Sequence, residues 1–284
     1  MRVRPPRLLP LAACATVIFL IGPLIVVLLQ SLADGAVTNL VDEGPSAHWY
    51  RELFEARDRW RGPVLTSLVV AVVTVLIVVP VGICGGVGIA RHLRRSRSLG
   101  RLLAILPLIV PTVITGMALL SALQGTPLLF SLTGVIAGHV VLTLPYAVLL
   151  IDRHVSQSSQ EPELAAKTLG AGTWQTFRWV SMPMIAPAVV TAAVFVFYNS
   201  WEEVVVTSFV SGTNTKTLPV AIFEAVQNEV SPVLAALSTV LILATAVLFF
   251  AYVGGRRLGS IARDRGWPGQ AVPRQRQTDG GTKA

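Results

Sequence analysis

Apolar residues in this chain gather into six long runs instead of alternating with polar ones at the period of a half-buried strand or a surface helix. The runs cover residues 8–29, 64–90, 102–123, 132–151, 184–210 and 233–253. Each can cross roughly 30 Å of hydrocarbon at about 1.5 Å of rise per residue. The pattern predicts an all-α polytopic membrane protein with six transmembrane helices. Two runs are interrupted: the fourth by His139 and the stretch LTLPY, the fifth by NSWEE. Pro107, Pro111 and Pro145 are expected to kink their helices and pack irregular backbone inside the bundle. The first run follows Arg2, Arg4 and Arg7, yet it is too long for the core of a signal peptide. No small-x-small cleavage site follows it, so it reads as a retained helix.

Two polar connections carry their own patterns. Residues 30–62 include HWYRELFEARDRW, which suits a short amphipathic helix at the outer interface, anchored by Trp49, Tyr50 and Trp60. Residues 163–187 read ELAAKTLGAGTWQTFRWVSMPMIAP. Pro162 fits the first turn of a helix, Ser158 to Glu161 offers an S-x-x-E capping box, and Glu163 sits near the positive helix end. Gly170 and Gly172 stop that helix. Thr173 then caps a second one, on which Trp174, Phe177 and Val180 share a side, until Pro183 breaks it and opens the next span. The small residues Ala165 and Ala166 allow another backbone to come close. On pattern alone this helix–turn–helix element is either a docking plug or an amphipathic loop lying on the inner leaflet, with Trp174 and Trp179 as belt residues.

Composition sharpens the picture. Of 284 residues 53% are hydrophobic and only 13% charged, where a soluble domain carries about a quarter. The formal net charge of +8 would suggest nucleic acid in a soluble protein. Here the cations cluster at the ends of apolar runs, which is topogenic, and no nucleic-acid partner is implied. With the amino terminus inside, 18 Lys and Arg face the cytoplasm and 5 face outward. Both termini and the 163–187 loop are therefore expected to be cytoplasmic, in a bacterial inner membrane. The expected organisation is an amino-terminal helix and outer loop over 1–61, a transmembrane core over 62–257 with a cytoplasmic loop at 153–183, and a cytoplasmic tail over 258–284. That tail, rich in Gly, Pro, Gln and Arg from about residue 266, has nothing to bury and reads as disordered.

Chemistry is sparse. Cys14 and Cys84 lie inside apolar runs and suggest neither disulfide nor metal site. There is no Walker-type nucleotide motif, and the stretch GICGGVGIA reads as a close helix-packing face through Gly82 and Gly86. No metal ligands, catalytic residues or cofactor of its own are expected. Any energy for work must come from elsewhere. Asp152, Arg153 and His154 read as the solvated end of a span.

The 163–187 loop resembles a family signature. Permease subunits of binding-protein-dependent ABC importers, the MetI-like family, carry a cytoplasmic E-A-A-x-x-x-G-x9-I-x-L-P element. The match runs through Leu164, Ala165, Ala166, Gly170, Val180, Ser181, Met182 and Pro183 with the spacing kept. Leu164 stands where the motif has Glu, with an acid one position earlier at Glu163; Val180 and Met182 are apolar replacements. The resemblance spans roughly residues 60–255. It implies a MetI-like permease fold in which this loop is a coupling helix seated on an ATPase. The implied partners are a second permease subunit in a heterodimer, two ABC ATPase subunits that bind the ATP, an extracytoplasmic solute-binding protein and the lipid bilayer.

Within the family, residues 195–240 look closest to spermidine/putrescine permeases, in the placement of S-x-x-E at Ser200 to Glu203, T-L-P at Thr217 and S-P at Ser231. Relatives handling ferric iron, thiamine or phosphonates share the last two signatures. The residues add one point of their own: acids in a span are costly and tend to face a pathway. Pro183 to Glu202 is about 28 Å of helix. Glu202 or Glu203, with Asn199 and Ser200, is thus expected at the outer mouth of a path that admits cations, or else snorkels into headgroups. His139 is either a ligand or proton relay, or a hydrogen-bonding residue that packs helices. The rival class is an ion-driven secondary transporter, which needs buried acids or His near mid-membrane.

Overall fold

In this computed structural model residues 8–33, 45–93, 96–228 and 233–247 are described. The segments at 1–7, 34–44, 94–95 and 229–232 and everything beyond 247 lie outside them. So do the expected tail, the end of the last run at 248–253, the S-P signature and many of the cations counted as cytoplasmic. The chain divides into two compact units, Met1–Ala47 with Ala235–Ala284, and His48–Leu234.

In the first unit α1 (Leu8–Leu32) is a continuous helix with Pro23 inside it. From Cys14 onward its side chains, Phe19 and Ile18 among them, are largely exposed, as a helix facing lipid requires. The chain closes after it through Ser46 N–H donating to the Leu32 carbonyl at 2.7 Å.

The second unit is built on three long helices. A short amphipathic helix α2 (His48–Glu55) leads into α3 (Arg57–Val87), which runs on through a π turn at Gly88–His92. The expected short amphipathic helix is therefore present, but Trp60 is not on it. It belongs to α3 and is buried, with the Arg59 guanidinium 5.3 Å from its ring centroid. The third run is not one straight span. It forms α4 (Arg97–Ile109) and α5 (Thr112–Leu123), bent by 90° at Val110–Pro111. Val110 is extended (ψ 126°), the conformation a following proline imposes. Pro107 and Pro145, by contrast, sit inside unbroken α4 and α6.

The fourth run is α6 (Leu132–Gln157), started by the Ser131 side chain accepting from Gly134 N–H at 3.1 Å. After it come α7 (Glu161–Thr168), α8 (Thr173–Thr176) and α9 (Met182–Glu202). The fifth run ends at Glu202, short of the expected 210. Residues 203–204 leave helical geometry before α10 (Val205–Val210), and α11 (Leu218–Asn228) follows. A further apolar helix, α12, covers Val233–Val247 and belongs from Ala235 onward to the first unit. Among the described residues four helices are long and apolar enough to cross a membrane, five if the bent α4–α5 pair is one span.

Helices α3, α6 and α9 bury Val78, Ala147, Ile151, Ile185, Ala192 and Val196 against one another. Close approach of α3 and α6 depends on Gly82 and Gly86. A Cβ on Gly82 would stand 2.7 Å from the Ala147 Cβ, and one on Gly86 2.8 Å from the Ile151 Cβ. The expected small-residue packing face is thus real and belongs to this contact. A second cluster joins Val70 and Val135 to Val206 and Val210 of α10, which brings the broken end of the fifth run into the core.

Candidate functional site

Two features concentrate the polar chemistry: the loop between α6 and α9, and a cavity beside the α9–α10 break.

The loop starts with α7. Pro162 occupies its first turn, and Glu161 and Glu163 sit by the positive end of the helix. The expected capping box does not form. The first flanking residue is Gln160, and the Ser158 hydroxyl turns back to the His154 carbonyl at 2.9 Å. The helix ends in a Schellman arrangement: Gly170 N–H donates to Lys167 O and Ala171 N–H to Ala166 O, both at 3.0 Å. Gly170 has φ +87°, which only glycine adopts without strain. The second helix starts at Gly172, whose N–H donates to the Gln175 side chain at 3.0 Å, so Thr173 is inside the helix and not its cap.

Pro183 does not break this helix. From Thr173 the chain is helical without interruption to Glu202, through a π turn at Phe177–Ser181. That wider turn accommodates a proline two residues beyond its end, because the i→i+5 pattern shifts which N–H groups are needed. The loop's second helix and the fifth span are therefore one rod. A push on the first displaces the second.

Glu163 ties this rod to the rest of the unit. Its Oε1 accepts from the Ser181 hydroxyl at 3.0 Å and from Arg91 Nη2 at 3.4 Å, linking α7, the second π turn and the end of α3. Leu164, at the motif's first position, points outward instead. It joins Leu169, Trp174 and Trp179, which are 89%, 71% and 73% exposed. Ala165, Gly170 and Pro183 are exposed as well, and Ala166, Val180 and Met182 partly so. An apolar surface on a loop that is otherwise polar fits a partner better than water.

Nearby, Asp152 corrects its sequence reading. It is 2% exposed, not solvated, and accepts from Arg101 Nε at 2.6 Å and from the Ser156 hydroxyl at 3.0 Å.

The cavity has a volume of about 350 Å³. Asn199, Ser200, Glu202 and Glu203 all border it, so the four path residues expected from sequence are brought together. Pro107, Leu108, Val110 and Thr112 of the α4–α5 bend form another wall, and His139, Thr143 and Tyr146 of α6 a third. His139 is fully buried, with Nδ1 2.7 Å from the Ser200 hydroxyl and Nε2 2.8 Å from the Thr207 hydroxyl. Thr207, Tyr146 and Arg101 were not singled out by sequence. Thr207 had one possible signal, its place seven residues after Ser200 beyond an NSWEE interruption. No group of His, Cys, Asp or Glu among the described residues is arranged to hold a metal.

Long apolar helices crossing through small residues, with a polar loop that continues into one of them, make this a polytopic helical membrane protein. The family model of the binding-protein-dependent transport system inner membrane component matches residues 79–259, and the chain belongs to that family. The putrescine transport system permease protein PotI of Escherichia coli K12 is 29% identical over 239 residues, covering 82% of this chain and 84% of that one. The spermidine/putrescine transport system permease protein PotC of Haemophilus influenzae is 27% identical over 206 residues, covering 72% and 80%. Among solved structures, a bacterial ABC transporter involved in import of the acidic polysaccharide alginate aligns with a TM-score of 0.67 at 16% identity, over 89% of this chain and 98% of that one. The MetNI methionine ABC transporter in an inward-facing conformation aligns at 0.55 and 15%, over 74% and 98%. Both likenesses bear out the MetI-like permease fold.

Proposed function

We propose that this chain is the membrane-spanning subunit of an ATP-driven polyamine importer. It pairs with a second, similar permease to enclose the path, two ATPase subunits dock below from the cytoplasm with the 153–183 loop of this chain seated on an ATPase subunit, and a binding protein delivers solute outside. Both termini face the cytoplasm, residues 62–257 form the conducting core, and the ATP is bound by the partners. The observation that carries this reading is the uninterrupted helix from Thr173 to Glu202, which joins an exposed apolar docking surface to the wall of a cavity. Coupling requires an element whose contacts differ between two global states, and a rigid rod held by the Glu163 clasp can move as one body. Putrescine or spermidine as solute is supported by the relatives and by the acids at the cavity, which favour cations and oppose anions.

An ion-driven secondary transporter is the rival. The buried His139 beside Glu203 is the feature that class would use. Both of its ring nitrogens, however, are held by hydroxyls of the same chain. The test is co-purification of the tagged chain with an ATP-binding subunit, then uptake of labelled putrescine and spermidine by proteoliposomes. ATP-dependent uptake by the complex is the expected result. Gradient-driven uptake by this chain alone would overturn the reading.

A further inference from the structure

Glu202 and Glu203 border the same cavity, but their hydrogen bonds assign them different work. Both oxygens of Glu203 are engaged within the chain. Its Oε1 accepts from Val206 N–H, and its Oε2 from Thr207 N–H and the Thr207 hydroxyl, all at 2.9 Å. It thereby satisfies the orphan donors at the start of α10.

A carboxylate only accepts, so the Thr207 hydroxyl donates to Glu203 and must accept from His139. That places the imidazole proton on Nε2 and leaves Nδ1 to accept from the Ser200 hydroxyl. The chain of donors runs Ser200 to His139 to Thr207 to Glu203, entirely among buried or nearly buried groups. It bolts the end of α9 to the start of α10 across the non-helical residues 203–204.

Glu202 is placed differently. It is the last residue of α9, while Glu203 has already turned to an extended backbone (ψ 122°) and faces α10. Glu202 is exposed, and no described side chain donates a hydrogen bond to its carboxylate in the way that Thr207 does to Glu203. A carboxylate with four acceptor sites keeps room for an ammonium group. Asn199 uses its amide N–H on the Phe195 carbonyl, which leaves its oxygen as an acceptor. Tyr146 lines the same cavity.

We propose that Glu202 is the residue that reads the solute's positive charge, and that Glu203, with His139 and Thr207, is a positioning latch that fixes the helix break where Glu202 stands. The assignment rests on the polyamine reading above. It is separable from it, because that reading is tested in the wild type and this one in variants.

The experiment uses the whole importer, with its ATPase, second permease and binding protein, in proteoliposomes supplied with labelled spermidine. Glu202→Gln keeps the shape and removes the charge; its KM for spermidine is expected to rise about tenfold with little change in maximal rate, the scale of one charge-assisted hydrogen bond. Glu202→Asp keeps the charge on a shorter stem and should fall between. Glu203→Gln and Thr207→Val should lower the maximal rate and leave KM within about twofold, as loss of a positioning contact does. An unchanged KM in both Glu202 variants, or a raised KM in Glu203→Gln with Glu202→Gln unaffected, overturns the assignment while polyamine transport stands. A wild type that imports only neutral or anionic solutes overturns both.

Discussion

Arg91 Nη2 lies 3.4 Å from Glu163 Oε1, an ion pair between residues 72 positions apart, with side chains only 12% and 20% exposed. The family motif would place its acid at position 164, and here Leu164 occupies that place and points outward. The carboxylate has moved one residue toward the amino terminus, about 100° round the helix, and so faces the protein interior. Its partner is accordingly within the chain.

This clasp should matter for coupling more than for folding. A partly buried pair with one added hydroxyl contributes about 1 kcal/mol. Glu163→Ala should leave membrane insertion and complex assembly intact, lower uptake several-fold, and raise ATP hydrolysed per solute carried. Glu163→Gln keeps the Ser181 bond and should be milder. Charge reversal of both partners, Arg91→Glu with Glu163→Arg, should recover part of the loss. Simultaneous measurement of uptake and hydrolysis checks this; equal coupling ratios in Glu163→Ala and wild type would refute it.

Apolar run length was enough to place the long helices, because burial in lipid demands it whatever the tertiary contacts. The Gly82–Gly86 face and the Gly170 turn were also legible, since each depends on a residue with no Cβ. What the sequence hid were effects of tertiary partners. Pro183 reads as a breaker, but the π turn before it absorbs the missing donor. Asp152 reads as solvated, but Arg101 arrives from another helix. Glu203 borders the cavity as expected, but it also caps a short helix that the apolar run concealed. The candidate path residues were found as a group because they are close in sequence. Their separate tasks were not, because these depend on His139, 61 residues from Ser200.

Gly86 offers a packing test with an internal control. A methyl there would meet the Ile151 Cβ at 2.8 Å and Asp152 N at 2.9 Å, and backbone cannot yield as a flexible side chain does. Gly86→Ala should cost about 1–3 kcal/mol, the usual penalty of overpacking. Gly88→Ala, where nothing lies within 4 Å, should be neutral or slightly stabilising. Thermal stability of the two variants in detergent distinguishes them, and equal midpoints would refute the close α3–α6 contact.

The pair formed by Arg101 and Asp152 should respond asymmetrically. Arg101 is 39% exposed and can turn to water when its partner is lost, whereas Asp152, at 2%, cannot. Arg101→Met therefore strands a buried carboxylate with only Ser156 for company and should cost roughly 3 kcal/mol. Asp152→Asn still accepts from Arg101 and Ser156 and should cost about 1 kcal/mol. The order of the two midpoints is the check.

Gly170 and Leu169 separate two contributions of the loop. Gly170→Ala forces a Cβ into the left-handed region at φ +87° and should cost about 1–2 kcal/mol locally, loosening the turn that sets α7 against the rod. Leu169, 89% exposed beside it, makes no demand on the fold, so Leu169→Asp should leave stability unchanged. If the exposed apolar face seats an ATPase, Leu169→Asp should nevertheless reduce ATPase co-purification about tenfold or more, because a carboxylate cannot be buried unpaired in an apolar contact. Gly170→Ala should retain more of the ATPase than Leu169→Asp does, yet transport poorly, since the docked surface then drives a slack connection. Full transport by both variants would mean that force enters the membrane elsewhere.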